Sequence, residues 1–335
     1  MNYSNQKDFE FSTVKIALLN ADAPFPPGMI DYFSDISEKD LELLKGVWPQ
    51  VWIERRRGLL EDMEDLAESD TLLDFDPVAI MCLEDEDPVA RATAIRLLWQ
   101  SDREDLVPLL LKRLQEDTEA IVRSAAATAL GTFVELGELE EIRVETFQQV
   151  VDSLIRTYQD ARDKLICRRA LESLSYSSHP DIPDFIRRAY ESNDEEWLQS
   201  ALFAMGRSYD KRWTHQVLEM FAHPDSEIRC EAIRAAGELE TQDARELIID
   251  LLEEGTDDEE LYFAAIWALS KIGGEGVREL IEIALEETED MDEVLLLEDA
   301  LANLDFTEQV SRFDLMNFDE DDLDDWLDDE DAEEY

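Results

Sequence analysis

Basic residues, histidine, cysteine, glycine and proline are all scarce in this chain, and each shortage sets a class of protein aside. Thirty Lys and Arg stand against 84 Asp and Glu in 335 residues, a formal net charge of −54. Nucleic-acid recognition needs many Lys and Arg against phosphate, so no nucleic-acid partner is expected, and anionic membrane surfaces are repelled for the same reason. Three histidines (His179, His215, His223) have no second His or Cys at metal-ligand spacing, and no His-Glu pair occurs. No metal and no other cofactor is therefore expected. There is no Gly-rich phosphate loop; Gly273-Gly274-Glu275-Gly276 reads as a turn. Nor is there a Gly-x-Ser-x-Gly elbow, so the chain reads as non-catalytic. Three distant cysteines (Cys82, Cys167, Cys230) give an odd, unclustered count that suits a reducing compartment without disulfides. No apolar run approaches the ~18 residues that a membrane span requires. The first 25 residues lack the basic start and apolar stretch of a signal peptide, and the expected location is the cytoplasm. With only 11 Gly and 10 Pro, and with Ala, Leu, Ile and Glu abundant, helix is favoured over strand.

What the chain does have is a short pattern that returns seven times. Arg123-Ser-Ala-Ala126-Ala-Thr-Ala129-Leu130-Gly131 is its clearest copy. The Ala126 position recurs at Ala94, Ala170, Ala201, Ala232, Ala265 and Ala300, at steps of 32, 44, 31, 31, 33 and 35 residues. A period of this size means stacked two-helix units, each burying its apolar face only on its neighbours. The first helix of each pair is Leu- and Ile-rich, as in Leu106 to Leu111 or Leu247 to Leu252, and the second carries the alanine pattern. Small residues there let helices approach to about 8–10 Å, so the seven alanines should form a packing seam.

The organisation expected is an irregular N-terminal arm over 1–38, rich in Pro24, Pro26 and Pro27, then a divergent capping helix pair over 39–72. The repeat array follows over 73–306, and an acidic disordered tail over 307–335. The 44-residue step places an insertion near 135–144, expected as a longer loop or a lengthened first helix.

Asp225-Ser-Glu-Ile-Arg229-Cys-Glu-Ala232-Ile-Arg-Ala235-Ala-Gly237 resembles the second helix of a HEAT repeat, of the armadillo-like type also found in bilin lyases. The resemblance covers 75–305 well and 39–68 loosely. It implies an all-α fold, a right-handed α-solenoid of about seven HEAT-like hairpins. It also implies a structural ladder of Asp and Arg across repeats, here Asp87, Arg91, Asp117, Arg123, Asp225 and Arg229. Leu198, Tyr262 and Leu297 occupy the Arg position in other copies, so the ladder should break after the second unit and be partly restored in the fifth. Asp87, Asp117 and Asp225 also sit where helix N-caps belong.

Two residues beyond and two before each alanine anchor, side chains should point off the stack. That stripe holds Arg96, Arg168 and Arg234 beside Phe203, Phe263 and Trp267. Exposed aromatics and arginine are the residue types that anchor interfaces, so these six are the candidate partner-binding residues. In the tail, 13 acidic residues and no Lys or Arg fall between 314 and 335, with Leu323, Trp326 and Leu327 on one helical face and Phe318 upstream. Such a segment has the form of a fold-on-binding motif. The leading expectation is a scaffold or adaptor for a basic or mixed-charge protein partner. The alternatives are an acidic assembly chaperone or nucleic-acid mimic shielding a basic client, and an enzyme accessory like the bilin lyases.

Overall fold

The structure is a computed structural model that describes residues 9–160 and 162–315, with side chains described as far as 309. The tail motif at Phe318, Leu323, Trp326 and Leu327 lies outside the described residues. Seventeen α-helices and no strand occur among the described residues. Their contacts divide the chain into two compact units, 1–189 and 190–335.

The first unit begins with α1 (Phe11–Leu19), α2 (Glu38–Val47) and α3 (Ile53–Ser69). Helices α2 and α3 fall in the segment expected as a capping helix pair over 39–72. The arm differs from expectation, because residues 11–19 are helical. Val14 and Leu18, one turn apart, are fully buried and give α1 an apolar face. Arg55, on α3, donates to the carbonyls of Ala17, Asn20 and Ala23 and so ties the end of α1 down. Next come α4 (Asp76–Cys82), α5 (Pro88–Arg96), α6 (Val107–Glu116), α7 (Ala120–Glu138), α8 (Val144–Asp160), α9 (Lys164–Leu174) and α10 (Ile182–Tyr190), the last of which ends at the division. The 44-residue step makes no long loop. Its extra residues lengthen α7 to 19 and α8 to 17 residues, and only 139–143 connect them. A Cβ on Gly137 would fall 2.0 Å from Cδ2 of Phe147, so the two long helices meet with Gly137 against that ring.

The second unit contains α11 (Glu195–Arg207), α12 (Thr214–Glu219), α13 (Ser226–Glu238), α14 (Ala244–Glu254), α15 (Glu259–Ile272), α16 (Val277–Glu287) and α17 (Met291–Leu315). Helix α17 runs on to Leu315, so the segment expected to be disordered from 307 starts as the end of a helix.

The alanine anchors lie on α5, α7, α9, α11, α13, α15 and α17, and all seven have no exposed surface. Within each unit the anchor-bearing helices pack on one another: α5 on α7 and α7 on α9 in the first, α11 on α13, α13 on α15 and α15 on α17 in the second. Five residues past the anchor, Gly206 and Gly237 bring backbones together. A Cβ on Gly206 would lie 2.9 Å from Cα of Ala235, and one on Gly237 would lie 2.8 Å from Cα of Ala268. These close approaches need the missing side chain, not a special backbone angle.

Seven residues before the anchor, aspartate starts five of these helices. Asp87, Asp163, Asp194, Asp225 and Asp258 each accept a backbone N–H of the first turn. That satisfies donors which the helix cannot satisfy itself. Asp117 departs from the expected cap. It follows α6, two residues before Glu119 at the α7 cap position, and accepts the Glu119 amide.

Candidate functional site

In the second unit, four of the six candidate residues converge. Phe203 on α11, Arg234 on α13, and Phe263 and Trp267 on α15 line one concavity of about 420 Å³. Its floor is Ala235, Gly237, Ala264 and Ala268, the same small residues that let these helices close up. The seam therefore makes the site: tight backbones below leave a shallow trough, and the larger residues at the outward register positions form its walls. Trp267 is 37% exposed, and the ring of Phe203 carries the Arg207 guanidinium 5.7 Å from its centroid.

The polar walls are a three-helix ladder that the sequence pattern did not single out. Arg207, Glu238 and Lys271 each stand six residues past their anchors. Lys271 Nζ lies 2.8 Å and Arg207 Nη1 3.6 Å from the Glu238 carboxylate. Arg234 is 3.5 Å from Glu231 on its own helix. The concavity thus gathers three cations and two carboxylates in a chain whose overall charge is −54.

In the first unit, Arg96 borders a different concavity of about 450 Å³ with Trp99, Ile121, Ser124, Thr128, Leu165 and Arg169. Arg96 makes two hydrogen bonds, of 2.6 and 2.7 Å, to Glu64 of α3. Trp99, Ile121 and Leu165 are 40–49% exposed, so the wall is more apolar than that of the second unit. Ile121 and Leu165 each stand five residues before an anchor, where α11, α13 and α15 carry Glu196, Glu227 and Glu260. That swap was visible in the sequence. Arg168 does not join either site. It is 8% exposed, and its neighbour Arg169 takes the surface position. The same position, two residues before the anchor, is also buried at Ala92, Ser124 and Cys230, so in these copies it faces the stack rather than solvent.

Of the Asp and Arg residues expected to form a ladder, Arg91 and Asp117 pair across repeats. Arg91 donates to both oxygens of Asp117 at 2.8 Å and also reaches the carbonyls of Asp85 and Glu86. Asp87 receives two hydrogen bonds from Arg57 on α3, at 2.8 and 2.6 Å, so cross-repeat pairing starts one helix pair earlier than the pattern implied. Alongside it, Arg56 donates to both oxygens of the buried Asp85, which also accepts from the indole N–H of Trp48. Nε of Arg123 is buried with no hydrogen-bond partner among the described residues. Arg229 holds the carbonyls of His223 and Pro224, the same two positions in its own turn that Arg91 holds. In both His-Pro-Asp copies, His Nδ1 accepts the amide N–H of the Asp, a local turn at the start of a helix.

The three cysteines are buried, and burial pushes their thiols up, that of Cys230 to about 11. They are held as protonated core residues. Among the described residues no three His, Cys, Asp or Glu side chains come together as a metal-binding group, and no helix is long and apolar enough to cross a membrane.

No curated protein matches the sequence. Among solved structures, the chain is similar to YibA of Escherichia coli, at 17% identity over 85% of this chain and 98% of that one, with a TM-score of 0.43. It is also similar to the CpcE–CpcF complex of phycocyanin lyase from Nostoc, at 19% identity over 68% and 94%, with a TM-score of 0.46. Human deoxyhypusine hydroxylase is similar at 14% identity over 88% and 96%, with a TM-score of 0.34. The family model for HEAT repeats matches residues 76–175 and 214–302, together more than half of the chain. The chain belongs to the HEAT-repeat family.

Proposed function

We propose that this protein is a non-catalytic interaction scaffold of the cytoplasm, and that the α11–α13–α15 face takes a large apolar side chain from a mixed-charge protein partner. One observation carries this reading. Three aromatic rings and three cations share a single 420 Å³ trough in a chain that is otherwise strongly acidic. Aromatic and Arg side chains around a desolvated pocket are the arrangement in which a few residues supply most of an interface's affinity. The surrounding acidic surface steers a basic partner body, while the trough accepts an apolar anchor flanked by carboxylate.

The test compares the full chain with its Phe203→Ala/Trp267→Ala variant as bait, with captured proteins identified by mass spectrometry. Both substituted residues are partly exposed, so helicity should be unchanged. A partner held by the trough is lost from the variant by tenfold or more. Equal capture by both baits overturns the reading.

A second reading, shielding of a basic client, draws on a separate acidic concavity of about 750 Å³. There Glu253, Glu287, Glu289, Asp290 and Glu293 surround Tyr262 and Ile283. Salt separates the two. Binding through that concavity weakens steeply between about 0.15 and 1 M salt, whereas aromatic-anchored binding does not.

A further inference from the structure

Three features stand apart from the fold's own packing: the trough of the second unit, the apolar wall at Trp99 in the first, and the outer face of α17. That last face exposes Met291, Leu295 and Phe306 at helical spacing. Nothing in the structure says what covers the second. For the trough, the chain itself supplies an occupant.

We propose that residues 318–327 of this same chain occupy the trough of α11, α13 and α15, with Trp326 against Phe203, Phe263 and Trp267, and the adjoining carboxylates toward Arg207, Arg234 and Lys271. The inference rests on the reading of the trough as a protein-binding site and adds its regulation.

Charge complementarity is the first argument. Residues 316–335 contain 12 acidic residues and no basic one, and in the trough three cations outnumber two carboxylates. The outer face of α17 is a poorer host, because Glu298, Asp299 and Asp305 accompany its apolar residues and would repel the segment.

Reach is the second. Thr307 donates to the carbonyl of Ser270 at 3.1 Å, and Asn303 to the Ser270 hydroxyl at 2.9 Å. Helix α17 therefore passes the level of Trp267 and Lys271 at residues 303–307. From there to Leu315 the helix advances about 12 Å at ~1.5 Å per residue. The eleven residues from Leu315 to Trp326 span at most about 36–40 Å. The return is that same length back along α17, plus one or two interhelical spacings of about 8–10 Å across the stack. The segment reaches the trough with slack to spare.

Composition is the third. Phe318, Leu323, Trp326 and Leu327 are the large apolar residues of this segment, and Leu323, Trp326 and Leu327 stand at the three- and four-residue spacing that one helical face requires. They offer the anchor that the trough is shaped to take.

As an intramolecular ligand, the segment competes with any partner for the same rings. Its effective concentration is in the millimolar range of short flexible links, so removing its anchor raises apparent partner affinity.

The experiment uses the full chain with a photo-cross-linking amino acid in place of Trp326. Tryptic mapping should find cross-links within one chain, on peptides of α11, α13 and α15. Arg234→Glu/Lys271→Glu, two surface charge reversals, should reduce them at least fivefold, as should raising the salt. Cross-links to 291–306, to the first unit, between two chains, or spread without preference overturn the proposal. In parallel, Trp326→Ala should increase capture of any trough-dependent partner several-fold. The two readings fail separately. If cross-links map to the trough but Phe203→Ala/Trp267→Ala captures the same partners, the scaffold reading falls and this one stands. If the variant loses its partners while cross-links miss the trough, the reverse holds.

Discussion

Arg56 and Arg91 in the first unit have side chains 3% and 11% exposed, and each is clasped by a carboxylate of a neighbouring turn. Arg207 and Arg234 in the second are 33% and 48% exposed and border the trough. The alanine seam is the same in both units, fully buried in every copy. What changes is the use of polar side chains around it. The first unit fastens successive helix pairs with Arg–Asp clasps: Arg56 to Asp85, Arg57 to Asp87 and Arg91 to Asp117. The second brings backbones together at Gly206 and Gly237 and leaves its cations at the surface. A repeat needs only its apolar seam to stack, so charged residues can be moved from buried clasps to the surface without altering the fold.

The largest test of this contrast is Asp85→Ala. It leaves the buried Arg56 guanidinium with Glu86 alone and strips the Trp48 indole of its acceptor. Breaking a buried pair in this way costs about 3–5 kcal/mol. Hydrogen exchange should rise across α2–α5 and stay unchanged across α11–α15. If Arg229→Ala in the second unit costs as much, the contrast fails.

Asp117→Asn sharpens it through pH. Burial pushes the Asp117 carboxyl up, but the Arg91 hydrogen bonds, the Glu119 amide and the charges of Arg91 and Arg113 together hold it below its ordinary value. Asp87 is lowered chiefly by its hydrogen bonds to Arg57. A carboxyl depressed in the folded state contributes stability that is present above the unfolded value near ~4 and is lost as pH falls through the folded one. Denaturant midpoints measured from about pH 6 to about pH 2 should therefore fall less steeply for Asp117→Asn than for the parent chain. A parallel pair of curves would refute the clasp.

Gly237→Val probes the other fastening. Its Cβ would meet the Ala268 backbone, which has no side-chain freedom with which to yield, and the helices must part at a cost of about 1–3 kcal/mol. The trough, floored by Gly237 and Ala268, should widen and lose partner affinity with it. By contrast Gly58→Ala, in α3 with nothing within 4 Å of the new methyl, should stabilise by about 0.5–1 kcal/mol in thermal or denaturant unfolding. The smallest effect belongs to Arg96→Ala. Its bidentate bond to Glu64 is half-exposed, and such pairs are worth about 0.2–1 kcal/mol.

The periodic alanines were legible because a stack demands a small residue at one position in every turn of the repeat. That 39–68 is helical was legible from apolar residues at three- and four-residue spacing. The burial of Arg168 was not. Neighbouring registers 168 and 169 both hold Arg, so local pattern does not choose between them, and only the folded stack shows that the register of Arg168 is buried, as it is at Ala92, Ser124 and Cys230. The Arg56–Asp85 clasp joins residues 29 apart, outside the pattern that revealed the alanines. The insertion was located at its place in the sequence. Its form, two long helices with Gly137 against Phe147, shows only when the elements are brought together.

The sequence by itself determined that this chain stacks helices, because apolar spacing is a one-dimensional property that every copy carries. It also showed that aromatic and basic side chains recur two residues before or after the alanine anchors. Only the tertiary structure decided which of them meet. Phe203, Arg234 and Trp267 are brought to one trough by the close approach of three backbones, and a distance of that kind is set by how neighbouring helices pack, not by any segment alone.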